Sequence, residues 1–337
     1  MKIPYVKFGE SYKQIRKEIL KEIDRVLSSG DLILREDVEK FEENFAKYVG
    51  SKYCVGVNSG TDALYLSLKA LGIKQGDKVM VPSYTFVATA QVVKQLKAEL
   101  FLYDVGEKFE DLKNIKAIMV SHMAGEFMTD MEKLKEKAGD IPIIEDACQA
   151  LGAIQNNKKA GTFGITGCFS FYPAKILGCY GDGGAIVTDN KMIYNEVKEL
   201  RNHYKKDYSK WGINSRLDNL QAAILNVKLK YLDKVIARRE EIAQLYLKGL
   251  GYRFTEDRGS KRVWQDFIIL EHNRDLLFNH LKEKGIETME NDYFFPIEKC
   301  MDSIRYEAQT LRLPVNEAIT DKEVKFIIKS IKEFYVK

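Results

Sequence analysis

One lysine organises the chemistry available to this chain. In the stretch 167–188, GCFSFYPAKILGCYGDGGAIVT, Lys175 sits in a short loop between two strand-like runs. Ser170 precedes it by five residues, and a Gly-Asp-Gly-Gly turn from Gly181 follows it. A lysine beside a serine able to hold phosphate is the pairing that Schiff-base chemistry on a phosphorylated aldehyde requires. Taken alone, a lysine between strands is an ordinary solvated loop residue. Three further segments make the chemical role worth weighing.

Asn58-Ser59-Gly60-Thr61-Asp62-Ala63-Leu64 follows a strand-like run and opens a helix. The free N–H groups and dipole of that helix favour an anion, and Gly60 allows close backbone approach. By itself the segment is equally a Ser/Thr-capped helix. Ile144-Glu145-Asp146-Ala147-Cys148-Gln149-Ala150 sets a carboxylate, Asp146, at another strand end. There it can pair with a protonated ring nitrogen or simply cap a helix. Pro82-Ser83-Tyr84-Thr85-Phe86 offers an aromatic face to a flat ring, or to the core. Together the four segments supply an amine, an anion site, a carboxylate and a stacking face, each at the point where open α/β sheets bind ligands.

The elements that must position them are legible as alternation. Apolar helical spacing runs over 11–28 (Ile15, Ile19, Ile23, Val26) and 36–48 (Val38, Phe41, Phe45), with Gly50 ending the second helix. Strand-like runs follow at 53–57, 78–81, 100–103, 117–120, 141–144, 167–171 and 185–188, with helices at 62–71, 88–97 and 131–138. Near-continuous apolar strands alternating with helices predict an α/β fold with a mainly parallel sheet of seven strands, covered by helices on both faces. A helical tract over 214–250 is longer than one ordinary helix and is suited to bridging two domains. After it, 262–270 predicts a strand and 275–284 and 320–335 predict helices. We place a large domain at 1–236 and a smaller C-terminal α+β domain at 237–337.

Composition excludes several classes. The chain has 337 residues, 45% apolar and 30% charged, as an ordinary globular protein does; the prior of roughly one domain per 150 residues suggests two. A net charge of +4 with interspersed signs and no recognition-helix pattern argues against nucleic acid. The five cysteines form no CxxC pair, and the apolar runs are too short to span a membrane, which points to a reducing, cytoplasmic setting. The four histidines (His122, His203, His272, His280) have no metal-ligand spacing, so no metal is expected. Gly181-Asp182-Gly183-Gly184 precedes a strand and lacks the dinucleotide fingerprint. Cys179 fits a buried small hydrophobe better than a nucleophile.

The chain resembles the pyridoxal-phosphate-dependent sugar aminotransferases of the DegT/DnrJ/EryC1/StrS family, which have the fold type I aspartate aminotransferase architecture. The resemblance rests on Phe41-Glu42, NSGTDAL from Asn58, PSYTFVAT from Pro82, EDACQALGA from Glu145, SFYPAK from Ser170 with its GDGG, and GINSRLD from Gly212, in that order along nearly the whole chain. It implies that Lys175 forms the internal aldimine, Asp146 meets the pyridine nitrogen, Gln149 lies near the ring hydroxyl and Phe86 stacks on the ring. Gly60, Thr61 and Ser170 would hold the phosphate, joined by Asn214 of the neighbouring subunit, so a homodimer with shared sites is implied. The implied reaction moves an amino group from L-glutamate to a keto-sugar carried on a nucleotide diphosphate, the cofactor cycling between pyridoxal and pyridoxamine phosphate. A keto-cyclitol, a keto-sugar without a nucleotide, or a regulatory protein keeping the fold without activity are the alternatives. Lys175 argues against the deoxygenating branch, which carries histidine there.

The chain departs from the family pattern at Arg35, in a shorter segment between Asp104 and Ala117, and at His203-Tyr204 in place of His-Gly. His122, His203 and Tyr204 are candidate substrate contacts. Aromatic and basic residues in the loops around 203–213 and 290–316 (Tyr204, Lys205, Lys206, Trp211, Tyr293, Phe294, Arg305) fit a base and diphosphate, a dimer rim or solvent.

Overall fold

The computed structural model describes residues 2–104, 112–251, 260–290 and 300–336. Its strands, in chain order, are β1 Tyr53–Val57, β2 Lys78–Pro82, β3 Glu99–Tyr103, β4 Ile115–Ser121, β5 Ile143–Asp146, the short β6 Ile154–Gln155 and β7 Lys158–Lys159, β8 Thr166–Ser170, β9 Gly184–Thr188, β10 Ser260–Lys261, β11 Phe267–Leu270, β12 Met289–Glu290 and β13 Thr310–Leu313. The helices are α1 Phe8–Ser29, α2 Glu36–Val49, α3 Gly60–Ala70, α4 Val87–Gln95, α5 Met131–Ala138, α6 Lys191–Leu200, α7 Asn219–Leu229, α8 Leu232–Leu250, α9 Arg274–Glu283, α10 Met301–Gln309 and α11 Asp321–Tyr335.

All seven strands expected of the main sheet are in it, ordered β1-β9-β8-β5-β4-β2-β3. The bonds from β8 through β5, β4 and β2 to β3 are parallel, while β9 runs antiparallel to both its neighbours. Strands buried on both faces explain the near-continuous apolar runs. One face packs Val38, Phe41 and Phe45 of α2 with Met131 and Leu134 of α5 and Leu225 of α7. The other packs Leu64 and Leu68 of α3, Val92 and Val93 of α4 and Val197 of α6.

A third core lies around the antiparallel β11-β13-β12 sheet, with Ile242 and Tyr246 of α8, Leu277 of α9 and Ile327 of α11. Ile3 joins it: its N–H donates to Gly285 O (2.8 Å), so the N-terminal strand-like segment is stitched to the C-terminal part of the chain.

The tract 214–250 is two helices, not one. Residues 214–218 are extended because Asn214 bridges Asn202 and Asp218 bridges Ile33. At the end of α7 the bonding tightens to Lys230 N–H on Val227 O (3.2 Å) and Tyr231 N–H on Lys228 O (3.0 Å), and α8 starts after Tyr231. Likewise the strand expected over 262–270 is confined to β11, because 262–266 spends its polar groups on other elements. Among the described residues, no helix is long and apolar enough to cross a membrane.

Candidate active site

The anion end of the site is built from backbone. Ser59, extended at φ −160° and ψ 166°, accepts the Asp62 N–H on its Oγ (3.1 Å) and so caps α3, leaving other first-turn N–H groups for a ligand. A Cβ on Gly60 would lie 2.7 Å from Cys148 Sγ and 2.8 Å from Ser170 Cβ. One on Gly184 would lie 2.4 Å from the Ser59 carbonyl. The end of β8 and the start of β9 can therefore close on the N-terminus of α3 only because both positions are glycine. Ser215, fully buried, donates to Asp62 Oδ2 (2.6 Å) and accepts from Asn58 N–H (3.1 Å), which ties the segment 212–218 to the same turn.

Asp146 ends β5 and is buried. Its Oδ2 accepts the Thr89 hydroxyl (2.8 Å) and its Oδ1 the Cys148 N–H (3.2 Å), an Asx turn rather than a helix cap. Thr89 Oγ1 in turn meets Thr85 Oγ1 (2.8 Å), which meets Ser121 Oγ (2.7 Å). Thr89 N–H donates to Phe86 O (3.0 Å), so the first turn of α4 carries both the hydroxyl on Asp146 and the exposed Phe86 ring. Gln149, buried immediately after the Asx turn, accepts the Ala124 N–H on Oε1 (2.9 Å).

Lys175 lies half-buried in the loop that leaves β8. Its N–H donates to Tyr172 O (2.8 Å), and the loop closes with Cys179 N–H on Phe171 O (2.8 Å). Its charge reaches the same place as Asp146: the Cys148 thiol is held well above its ordinary pKa, first by burial and then by Asp146, while Lys175 pulls it down. A cavity of about 400 Å³ flanks the loop, lined by Lys175, Cys179, Tyr180, Lys228, Arg239 and Glu317 among others. Gly60, Asp146, Gln149 and Ser170 do not line it, so the anion cradle and the carboxylate belong to a different side of Lys175.

A profile of the DegT/DnrJ/EryC1/StrS aminotransferase family matches residues 13–332. The chain belongs to that family. It is 37% identical to the dTDP-3-amino-3,4,6-trideoxy-alpha-D-glucose transaminase of Streptomyces venezuelae, over 86% of this chain and 81% of that one. It is also 37% identical to the dTDP-3-amino-3,6-dideoxy-alpha-D-galactopyranose transaminase of Aneurinibacillus thermoaerophilus, over 98% and 95%. The crystal structure of S. venezuelae DesV, solved in complex with a ketimine intermediate, superposes with a TM-score of 0.94 at 32% identity, covering 100% of this chain and 99% of that one. The fold is thus type I, and the family's cofactor is pyridoxal phosphate.

The residues present fit that cofactor of the DegT family. Glycine at positions 60 and 184 lets Ser170 and the start of β9 close on the free first-turn N–H groups of α3, which suit a phosphate, and the Asp146 carboxylate is held by two neutral donors, the Thr89 hydroxyl and the Cys148 N–H. Gly60 is closed on Ser170 and Cys148, and Asp146 accepts the Cys148 N–H; Lys175 follows Ser170 in the loop that leaves β8, Thr61 sits beside Gly60, half-buried, Gln149 follows Cys148, and Phe86 opens the turn that carries Thr89 to Asp146. Asn214 is exposed next to Ser215.

The three candidate substrate contacts are not alike. His122 is fully buried, with Nε2 3.0 Å from Glu145 Oε2, and Glu145 also accepts the N–H groups of Gly161, Phe163 and Gly164. The other ring nitrogen, His122 Nδ1, is buried without a hydrogen-bond partner among the described residues. Tyr204 is buried against the α3–α6 side, its hydroxyl on Glu196 (3.2 Å), and only His203 is exposed. Tyr293 and Phe294 lie outside the described residues. Cys179 is buried, its thiol on Phe171 O (3.0 Å) and pushed up to about 12, chiefly by burial.

Thr89, Cys148 and Gln265 are site residues that sequence reasoning missed. Thr89 had a signal, since it falls one helical turn after Phe86, and Cys148 lies two residues after Asp146 in the same strand-end segment. Gln265 had none.

Proposed function

We propose that this aminotransferase transfers an amino group from L-glutamate to a keto-sugar linked to a nucleotide diphosphate, most simply a keto-deoxysugar. The observation that carries the proposal is the closure of Gly60 on Ser170 and on Cys148, whose N–H is bonded to Asp146, with Lys175 in the loop that leaves Ser170. The substrates named for the two dTDP-sugar relatives support the choice of acceptor.

Pyridoxal phosphate supplies an aldehyde that condenses with amines and a ring that withdraws electrons from the carbon beside them. The chain's residues do the rest. The α3 N-terminus with Gly60, Thr61 and Ser170 binds the phosphate, and Asn214 of a second copy completes that grip in a homodimer. Asp146, fixed by the Thr89 hydroxyl and the Cys148 N–H, would accept from the ring nitrogen and favour its protonated form. Phe86 would stack on the ring, and Gln149 would meet its hydroxyl. Lys175 Nζ would hold the cofactor's aldehyde and, once freed by the amino donor, would serve as the base that carries a proton from the donor's α-carbon to the cofactor. His203 is the exposed candidate for the sugar side. The same reading sets the large cofactor-binding part at 1–236, the smaller part at 237–337, and the protein in the cytoplasm.

Borohydride reduction of the loaded protein followed by peptide mapping tests this: the pyridoxyl label is expected on Lys175, and Lys175→Ala should abolish turnover with the fold intact. A label elsewhere, or a Lys175→Ala variant with full transaminase rate, ends the assignment. Assaying dTDP- and UDP-linked amino sugars against aminocyclitols in the reverse half-reaction separates the acceptor classes.

A further inference from the structure

We propose that Gln265 is a positioning residue for Lys175, which brackets the lysine's backbone and ties its place to the smaller C-terminal part of the chain. The inference rests on the reading that Lys175 is the cofactor lysine. Gln265 Oε1 accepts the Ile176 N–H (3.2 Å), and its Nε2 donates to Ala174 O (3.1 Å). The peptide groups on either side of Lys175 are therefore held by one side-chain amide. A primary amide suits this task because it carries an acceptor and a donor side by side in one plane; the opposite orientation would set N–H against N–H and oxygen against oxygen.

Gln265 is itself fixed. Its carbonyl and that of Trp264 accept from Arg239 Nη1 (3.2 and 3.0 Å), a guanidinium that is 4% exposed and also binds Glu317 (3.4 Å). On the N-terminal side, Val263 N–H donates to Gly125 O (2.9 Å). On the C-terminal side, Asp266 accepts the Tyr5 hydroxyl (2.5 Å) and faces Arg312 (3.7 Å). The run 263–266 thus crosses from β10 to β11 as a strap that bends at Gln265, with polar groups engaged on both sides. Gln265 is the side chain it hydrogen-bonds to the Lys175 loop.

Lys175 has to reach first the aldehyde carbon and later the donor's α-carbon, so an error of about 1 Å in its backbone can cost up to ~100-fold in rate. Both polar ends of the Gln265 amide are spent on the loop, so it acts through Lys175 and not on substrate.

Two variants test the clamp. Gln265→Met keeps the volume and loses both bonds, whereas Gln265→Glu keeps the acceptor for Ile176 N–H and loses the donor to Ala174 O. In cofactor-free protein, hydrogen exchange over 172–179, followed by mass spectrometry, should quicken in Gln265→Met and stay near wild type at Ile176 in Gln265→Glu. In loaded protein, kcat for the glutamate half-reaction should fall roughly ten- to a hundredfold in Gln265→Met, and less in Gln265→Glu, with little change in KM.

In Gln265→Met, turnover within twofold of wild type, or slowed turnover without faster exchange, overturns the proposal. If Gln265→Met fails to fold, Gln265→Glu decides by turnover: wild-type kcat in it overturns the clamp. Exchange is measured without cofactor, so a pyridoxyl label away from Lys175 would refute the lysine assignment separately from the clamp.

Discussion

The Thr89 hydroxyl donates to Asp146 Oδ2 at 2.8 Å inside the protein, and Thr85 and Ser121 continue the hydroxyl chain behind it. Thr89→Val keeps the shape and removes the donor to a buried carboxylate. We expect a loss of about 1–3 kcal/mol in unfolding free energy, measured by urea titration, and weaker binding of pyridoxal phosphate. Thr89→Ser, which keeps the hydroxyl, should recover most of both.

Gly60→Ala addresses the cradle. Alanine favours a helix over glycine by about 1 kcal/mol, yet here its Cβ would lie 2.7 Å from Cys148 Sγ and 2.8 Å from Ser170 Cβ. Cofactor affinity, titrated by absorbance, should drop, and Gly60→Ala with Cys148→Ala should recover part of it.

Glu42 and Arg201 form a pair that fixes β1. Both are buried; the carboxylate accepts from Arg201 and from Gly56 N–H (2.8 Å), and Arg201 also donates to Gly56 O (2.7 Å). Arg201→Met leaves the carboxylate charged and short of a partner, at a cost of about 3–5 kcal/mol in chemical denaturation. Adding Glu42→Gln to that variant should lose less than the single change does.

Glu317 predicts an acid limb in stability. Burial alone would raise its pKa, but Arg239, the Ser11 hydroxyl, its own N–H and Lys228 outweigh burial and hold it below the ordinary 4.5. A carboxyl lower in the folded than in the unfolded chain stabilises fully above the unfolded value and loses that contribution as pH falls through the folded one. Melting temperature should therefore fall below about pH 4.5, and more steeply in the wild type than in Glu317→Gln, followed by calorimetry across that range.

How much of this was legible beforehand depends on the range of the interaction. The main-sheet strands were legible because continuous apolar runs between turns reflect burial on both faces, and the anion cradle because Gly60 follows a strand directly. The break at Lys230-Tyr231 was not, since apolar spacing continues across it and only a tightened turn marks it. Long-range pairs were equally hidden. Thr89 lies 57 residues from Asp146 and Gln265 lies 89 from Ile176, and no local periodicity encodes which distant amide or hydroxyl will arrive. His122 shows what position alone leaves open: its strand-end place fits packing or substrate contact equally, and in the fold Nε2 meets Glu145 Oε2 while Nδ1 is buried without a partner among the described residues.

The strap between β10 and β11 also bears on synthesis. A ribosome that has made everything through α8 has already delivered the amine, the carboxylate and the phosphate cup, but not the amide that holds the amine still. Attachment of the vitamin to such an unfinished chain should be slow and loose, becoming firm only once the last quarter of the polypeptide has docked.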